Sequence, residues 1–487
     1  LKNIDQVELD DFGSDVFSKA LQAQSWVWLG QDKRAKNTFL SAVDALADAR
    51  LLSRSKGATD PARLAYYRYA QLRAYSGLAS IALLDDQASI AKNWALRAEE
   101  IFTQPHTAEA STRSKELLPE LSEAELGRAQ NWVYLGTSIA IHDADSKLAN
   151  EFFRRADEFY LQVGYRPGLA SSLSFQAYAA LRTGQFEQAE KLGATAVGLA
   201  SELALPDLIW RMQTLMGETY LKTGRQAEAE RAFRQAQAAV DLVNGSLASD
   251  RAKLQFGVGK AAITQRLLEF DLKANNAAQL FEDAERGRAR AFVDLLTDTE
   301  LGLTDDFKTN DRVRMLDEQV RILRLRQSLQ PIELAEETRG QIQALMNTRN
   351  ELMDQLAAVN TEWSAAYSVR YGTLAAVRKR LQPHELLVYS FFTSQPDDIQ
   401  LMFVRSSSVQ FKTIRNGNPK VLSALVELTD GVALGDINLQ NSAMGQLAKA
   451  LDLKTWPKAR HVYMVPAGQF PSVPWSALGL GQWVLVL

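Results

Sequence analysis

Small and aromatic residues recur in a fixed frame, and that frame restricts the first part of the chain to stacked helical hairpins. Gly217, Tyr220, Gly224, Ala229, Phe233 and Ala236 stand at offsets 0, 3, 7, 12, 16 and 19. Steps of three and four residues place side chains on one face of a helix. Gly217 and Ala229 let two helices cross closely, Tyr220 and Phe233 fill the space beside the crossing, and Gly224 makes the turn between them. The preceding unit keeps the frame with Ala177, Ala180, Gly184, Ala189 and Ala196, and Gly184 lies 40 residues before Gly224. Weaker copies run from Gly136 to Ala156 and from Gln265 to Ala284, the latter through Ala277 and Phe281. Residues 20–52 and 64–103 read as further helical pairs. A hairpin of this kind cannot bury its apolar face alone, so residues 1–300 are predicted to stack as an α-solenoid rather than a non-repetitive bundle. Pro61, Pro105, Pro119, Pro167 and Pro206 fall where helix starts or loops belong.

The frame resembles the tetratricopeptide repeat, whose usual period is about 34 residues. The longer spacing here predicts extended helices or loops. Such a resemblance implies a protein or peptide partner on the concave face, or a larger regulatory complex. Trp26, Trp28, Trp94, Trp132, Tyr134 and Trp210 are the aromatic candidates for contact, with interhelix packing as their alternative role. At 282–296, Arg286, Arg288 and Arg290 fan across more than one helix face. They offer an anion site or pair with Glu282, Asp283 and Glu285. Residues 301–368 read as a helical hairpin linker broken at Gln330-Pro331, in which Met315, Val320, Ile322, Leu323, Leu325 and Leu329 face Leu334, Ile342, Leu345, Met346, Leu352, Met353 and Leu356.

The periodicity changes from Gly372, opening a third segment over 369–487. Leu374 to Leu381 reads as a short helix, and Leu386 to Phe392 as a strand. Ile399–Val404 and Val409–Ile414 read as a hairpin. Helices follow at Pro419–Thr429 and Ala443–Leu451, separated by a Gly/Asp/Asn-rich loop at 431–441. A strand at His461–Val465 then leads into a loop punctuated by Pro466, Gly468, Pro471 and Pro474. The fold class is therefore mainly α, a solenoid and hairpin followed by an α/β segment.

Composition removes several function classes. The 487 residues contain no cysteine, so this stretch supplies neither disulfides nor thiolate chemistry. A formal charge of −3 gives no whole-chain footprint for nucleic acid. No run approaches the roughly 20 apolar residues of a membrane span, and a soluble, cytoplasmic setting is favoured. His142-Asp143-Ala144-Asp145 offers metal ligands but sits where a repeat turn belongs. Gly257-Val258-Gly259-Lys260 lacks the rest of a P-loop, His384-Glu385 lacks the second histidine of a zinc helix, and Ser476 lacks a base at a recognisable spacing. No cofactor or metal signature emerges.

The order of helix, hairpin, helical pair, strand and Pro-rich loop resembles the opening of a CHAT domain, a caspase-like peptidase module that follows tetratricopeptide repeats. The loop carries the most specific part of the likeness: Val465-Pro466-Ala467-Gly468-Gln469-Phe470-Pro471-Ser472-Val473-Pro474-Trp475-Ser476-Ala477-Leu478. The whole resemblance covers about residues 130–487. It implies a cysteine peptidase of the caspase and separase clan, regulated by a bound partner, often in bacterial defence or cell-fate control. In that family a histidine activates a cysteine and backbone N–H groups stabilise the oxyanion. Neither catalytic residue can be placed. His461 and His384 fall too early in the domain, and His106 and His142 lie in the repeats. The chain opens on Leu1 and closes on the strand-like run Trp483 to Leu487. A catalytic half beyond Leu487 is therefore expected. The alternative is a non-catalytic interaction scaffold with a degenerate CHAT segment.

Overall fold

The structure, a computed structural model, describes residues 19–20, 22–23, 32–55, 61–103, 123–246, 261–285, 373–467, 470–478 and 482–485, with helical positions 312, 315, 316, 319, 323, 340, 341, 344, 345, 348, 351 and 352. The chain is mainly helical, with a small mixed sheet near its C-terminus. It forms two compact units: Leu1–Gly259 with Thr297–Asn360, and Lys260–Leu296 with Thr361–Leu487.

The first unit contains α1 (Asp32–Ser55), α2 (Pro61–Leu84), α3 (Ala88–Thr103), α4 (Glu123–His142), α5 (Ser146–Gln162), α6 (Arg166–Arg182), α7 (Phe186–Glu202), α8 (Pro206–Lys222) and α9 (Gln226–Ser246). Helices α5 to α8 are each 17 residues long. Three-residue links join them, so positive backbone φ recurs every 20 residues, at Ala144, Gly164, Gly184, Ala204 and Gly224. The four links from 163–165 to 223–225 close their helices in the same way. Tyr165 N–H donates to Tyr160 C=O and Gly164 N–H to Leu161 C=O; Arg225 N–H donates to Tyr220 C=O and Gly224 N–H to Leu221 C=O. This is the Schellman pattern, which satisfies the last carbonyls of the helix. The 40-residue spacing thus arises from two equal helices and two minimal links rather than from long loops. Pro61, Pro167 and Pro206 lie in first turns, where a missing N–H costs nothing. Pro105 and Pro119 lie outside the described residues.

Crossings in this unit repeat one motif. A Cβ at Gly217 would lie 2.8 Å from the Phe233 ring, at Gly136 2.9 Å from Phe153, and at Gly77 2.2 Å from Phe39. The glycine faces are therefore filled by buried aromatics of neighbouring helices. Around them Ala129, Ala149, Ala156, Ala177, Ala189, Ala196, Ala229 and Ala236 are buried. In the 301–368 segment the described positions are helical. Met315, predicted to face the hairpin partner, is instead exposed, and the adjacent Leu316 is buried. The pairing of the two hairpin arms lies outside the described residues.

The second unit is a three-layer α/β/α arrangement. Its elements are α10 (Ala261–Lys273), α11 (277–285), α12 (Leu374–Arg380), β1 (Glu385–Phe391), β2 (Ile399–Val404), β3 (Val409–Ile414), α13 (Gly417–Leu434), α14 (Ile437–Ala450), β4 (His461–Val465) and β5 (Gln482–Leu485). The strand order is β3-β2-β1-β4-β5. β1 pairs antiparallel with β2 and β2 with β3, whereas β1–β4 and β4–β5 are parallel. Alternation sends Leu386, Val388, Leu401, Phe403, Val462 and Met464 to one face, against α13 and α14. Leu387, Tyr389, Phe391, Met402, Val404 and Val465 go to the other face, against α10, α11 and α12.

Two expectations change here. The repeat frame predicts stacking through about residue 300, but its last copy applies Leu268, Leu280, Phe281 and Ala284 to the sheet. The loop predicted at 431–441 shrinks to Gly435 and Asp436. Gly435 takes φ 68°, and the Asp436 carboxylate accepts from the N–H groups of Asn438 and Leu439, starting α14 at once.

The links make a direct prediction. A Cβ at Gly224 would meet nothing within 4 Å, so conformation rather than space favours glycine there. Ala204 carries the same positive φ with a Cβ. Ala204→Gly is expected to stabilise the protein by about 0.5–1 kcal/mol, and Gly224→Ala to destabilise it by about 1 kcal/mol. Denaturant unfolding followed by circular dichroism reads both.

Candidate functional site

In the sheet, neighbours are added to one side of β1 by the hairpin and to the other by β4. The order of strand addition therefore switches sides between the parallel strands β1 and β4. The carboxyl ends of strands at such a switch are where open α/β sheets place their ligand clefts. Ser390 marks this point. Its buried hydroxyl accepts from Ala467 N–H at 2.7 Å and donates to Val465 C=O at 3.2 Å, fastening the end of β1 to the exit of β4. Beyond β1, Ser394 donates through both its N–H and its hydroxyl to Glu269 of α10, and Arg266 donates to the Ser394 hydroxyl at 3.0 Å. α10 thereby fixes the segment that leaves the sheet.

The Pro-punctuated loop after β4 is held by its apolar residues. Phe470, Val473 and Trp475 are buried in the sheet's core. Trp475 Nε1 donates to Phe470 C=O at 3.0 Å, and its ring lies 6.0 Å from that of Trp456. Ser476 is exposed at the surface of this loop. The loop shapes the carboxyl edge and carries no acid–base pair among its described residues.

The opposite, amino end of the same two strands gathers chemistry that the linear sequence hides. Glu385 lies opposite His461 in the β1–β4 register, with His384 immediately before β1. Glu385 Oε2 accepts from Gln382 N–H at 2.8 Å and Oε1 from the Tyr463 hydroxyl at 2.9 Å. The Gln382 N–H above all, then the Tyr463 hydroxyl, holds this carboxyl below the ordinary carboxylate range, with His384 and His461 adding to the effect. His384-Glu385 lacks a histidine one helical turn away. The structure supplies one from the neighbouring strand, a long-range contact with no local signal except that His461 opens one predicted strand and His384 lies two residues before another.

The other sequence candidates have structural roles or lie outside the described residues. Asp145 caps α5 through Leu148 N–H, and Asp143 pairs with Lys92 at 2.6 Å, so the 142–145 stretch is a turn built from its acids. Trp94 stacks on Tyr75 with ring centroids 5.6 Å apart, Trp132 packs in the repeat core, and Trp210 Nε1 donates to Asp207. Tyr134 meets Phe175 edge-on, and burial pushes its phenol up to about 12. Glu285 accepts from the Tyr389 hydroxyl at 2.7 Å. Arg286, Arg288, Arg290, Trp26, Trp28, His106 and the 257–260 stretch lie outside the described residues. Among the described residues no helix is long and apolar enough to cross a membrane.

No model of a known protein family matches this chain, and no curated protein matches it.

Ser390→Ala removes a donor and an acceptor from a buried site while leaving the Ala467 N–H and Val465 carbonyl in place. A loss of about 1–3 kcal/mol is expected. It should appear as a lower denaturation midpoint together with faster amide exchange at Ala467.

Proposed function

We propose that this chain is the repeat, or sensing, region and the opening half of a CHAT-family cysteine peptidase. A protein or peptide partner on the concave face of the tetratricopeptide-like repeats regulates cleavage in this reading. The observation that carries it is the order of the second unit. A helix, a strand, an antiparallel hairpin, two helices and a parallel strand lead into the Val465–Leu478 loop, and that loop leaves the carboxyl end of β4 beside the point where strand addition switches sides of β1. Backbone donors and catalytic side chains at strand ends of this kind have a rigid floor on which to act. Residues 261–285, spaced like the repeats, also hold the end of β1 through Arg266 and Glu269.

The reading requires a histidine and a cysteine from outside these 487 residues. Intact mass of the natively expressed protein, with peptide mapping past Leu487, tests it. The expected result is a longer polypeptide bearing both residues on strands after β5, with proteolysis of a protein substrate abolished by cysteine-to-alanine substitution. The 487-residue chain alone should show no thiol-dependent cleavage. The absence of cysteine from the chain favours one other reading, a non-catalytic interaction scaffold. A native polypeptide without a downstream histidine and cysteine would select that reading.

A further inference from the structure

The amino ends of β1 and β4 bring together two imidazoles and a carboxylate. Ligand atoms of His384, Glu385 and His461 all lie within 4.8 Å of one another. The two imidazole centroids are 5.5 Å apart with their planes at 58°. We propose that His384, Glu385 and His461 form a binding site for one divalent transition-metal ion, zinc being the best match. The site lies at the end of the strands opposite the Pro-rich loop and stands independently of the peptidase reading.

The donor chemistry suits such an ion. Two neutral imidazoles and one carboxylate are a zinc donor set, leaving a fourth tetrahedral position for solvent. A tetrahedral zinc with bonds of about 2.0–2.2 Å holds its ligand atoms about 3.4 Å apart. Closing from 4.8 Å therefore asks for a side-chain movement of about 1 Å, and His384 is exposed and has room to swing.

Two further observations single out this cluster. His461 Nδ1 is buried and has no hydrogen-bond partner. A buried ring nitrogen is rarely left in that state, and an ion is one of the few species that relieves it. The carboxylate is also already oriented. Tyr463 and the Gln382 N–H each occupy one position on a separate Glu385 oxygen and leave lone pairs for a metal. Outer partners of this kind fix the direction of ligating carboxylates. The backbone beneath is tied as well. Arg460 N–H donates to His384 C=O at 3.0 Å, and the Arg405 guanidinium donates to the carbonyls of Pro383 and Lys458, joining the two ligand-bearing segments. An ion held here would staple β1 to β4 at the start of their parallel ladder.

The test uses the full 487-residue chain stripped with chelator and titrated with zinc ion against a chromogenic competitor. Cobalt ion serves as a spectroscopic probe of coordination. The expected result is one equivalent bound with Kd in the micromolar range or tighter. Cobalt should give the visible absorption of a tetrahedral nitrogen/oxygen site, and saturating zinc should raise Tm. His384→Gln, His461→Gln and Glu385→Gln should each weaken binding at least ~10-fold, and Tyr463→Phe by about 10-fold at unchanged stoichiometry. His142→Gln, in the remote repeat turn, should bind as the wild type. His384→Gln is the decisive variant because its exposed position leaves the fold intact, as circular dichroism would confirm. Absence of stoichiometric zinc binding by the wild type overturns the site. So does wild-type affinity in His384→Gln, or a zinc-induced rise in Tm that this variant retains.

Discussion

Burial of both faces of β1 is the constraint on which the second unit depends. Leu386 and Val388 point one way, Leu387, Tyr389 and Phe391 the other, and every one is buried. A strand so placed needs a helical layer on each side. One layer, α13 and α14, comes from the chain that follows at once. The other is only begun by α12, just before β1, and α10 and α11 supply the rest of it from about a hundred residues earlier. Helices patterned like the repeats are thus recruited to close an α/β core. This explains why Phe281 and Ala284 keep the repeat spacing and yet pack beside Tyr389, with ring centroids of Phe281 and Tyr389 5.6 Å apart.

Much of this architecture is legible in the sequence because it rests on local periodicity. The turn at Gly224, the crossing at Gly217 and Phe233, the Ile399–Ile414 hairpin and the His461–Val465 strand follow from steps of three, four or two residues and from turn chemistry. Three features are not legible. The helix through 437–441 looks like a loop because Asp436 and Asn438 are turn residues by composition, while the Asp436 carboxylate caps a helix instead. The buried stripe near 315 is displaced by one residue, onto Leu316, because apolar residues at neighbouring positions leave the helix phase ambiguous. The meeting of His384, Glu385 and His461 depends on strand order, and no pattern within a short window encodes which strand lies beside β1.

The two ends of the β1–β4 pair are built differently. At the carboxyl end a single buried hydroxyl, Ser390, and an aromatic cluster around Trp475 fix the backbone. Ser390, Phe470, Val473 and Trp475 are buried there, and their positions are set by packing. At the amino end, imidazoles, a carboxylate and a phenol meet where solvent reaches at least one of them. Its geometry is set by hydrogen bonds to Glu385, which leaves the side chains adjustable by small rotations. One end is a fixed framework, while the other keeps side chains that can still turn.

The equal 17-residue helices and their three-residue links also limit how the repeat region can change in length. Each 20-residue step reverses the direction of the chain, so removing one step would turn every later helix end for end and carry its small-residue face away from its neighbour. Removing two steps restores direction and phase together. Growth or loss in whole hairpins is therefore the natural currency of length variation here, and the surface the repeats offer can lengthen or shorten without redesign of any single crossing.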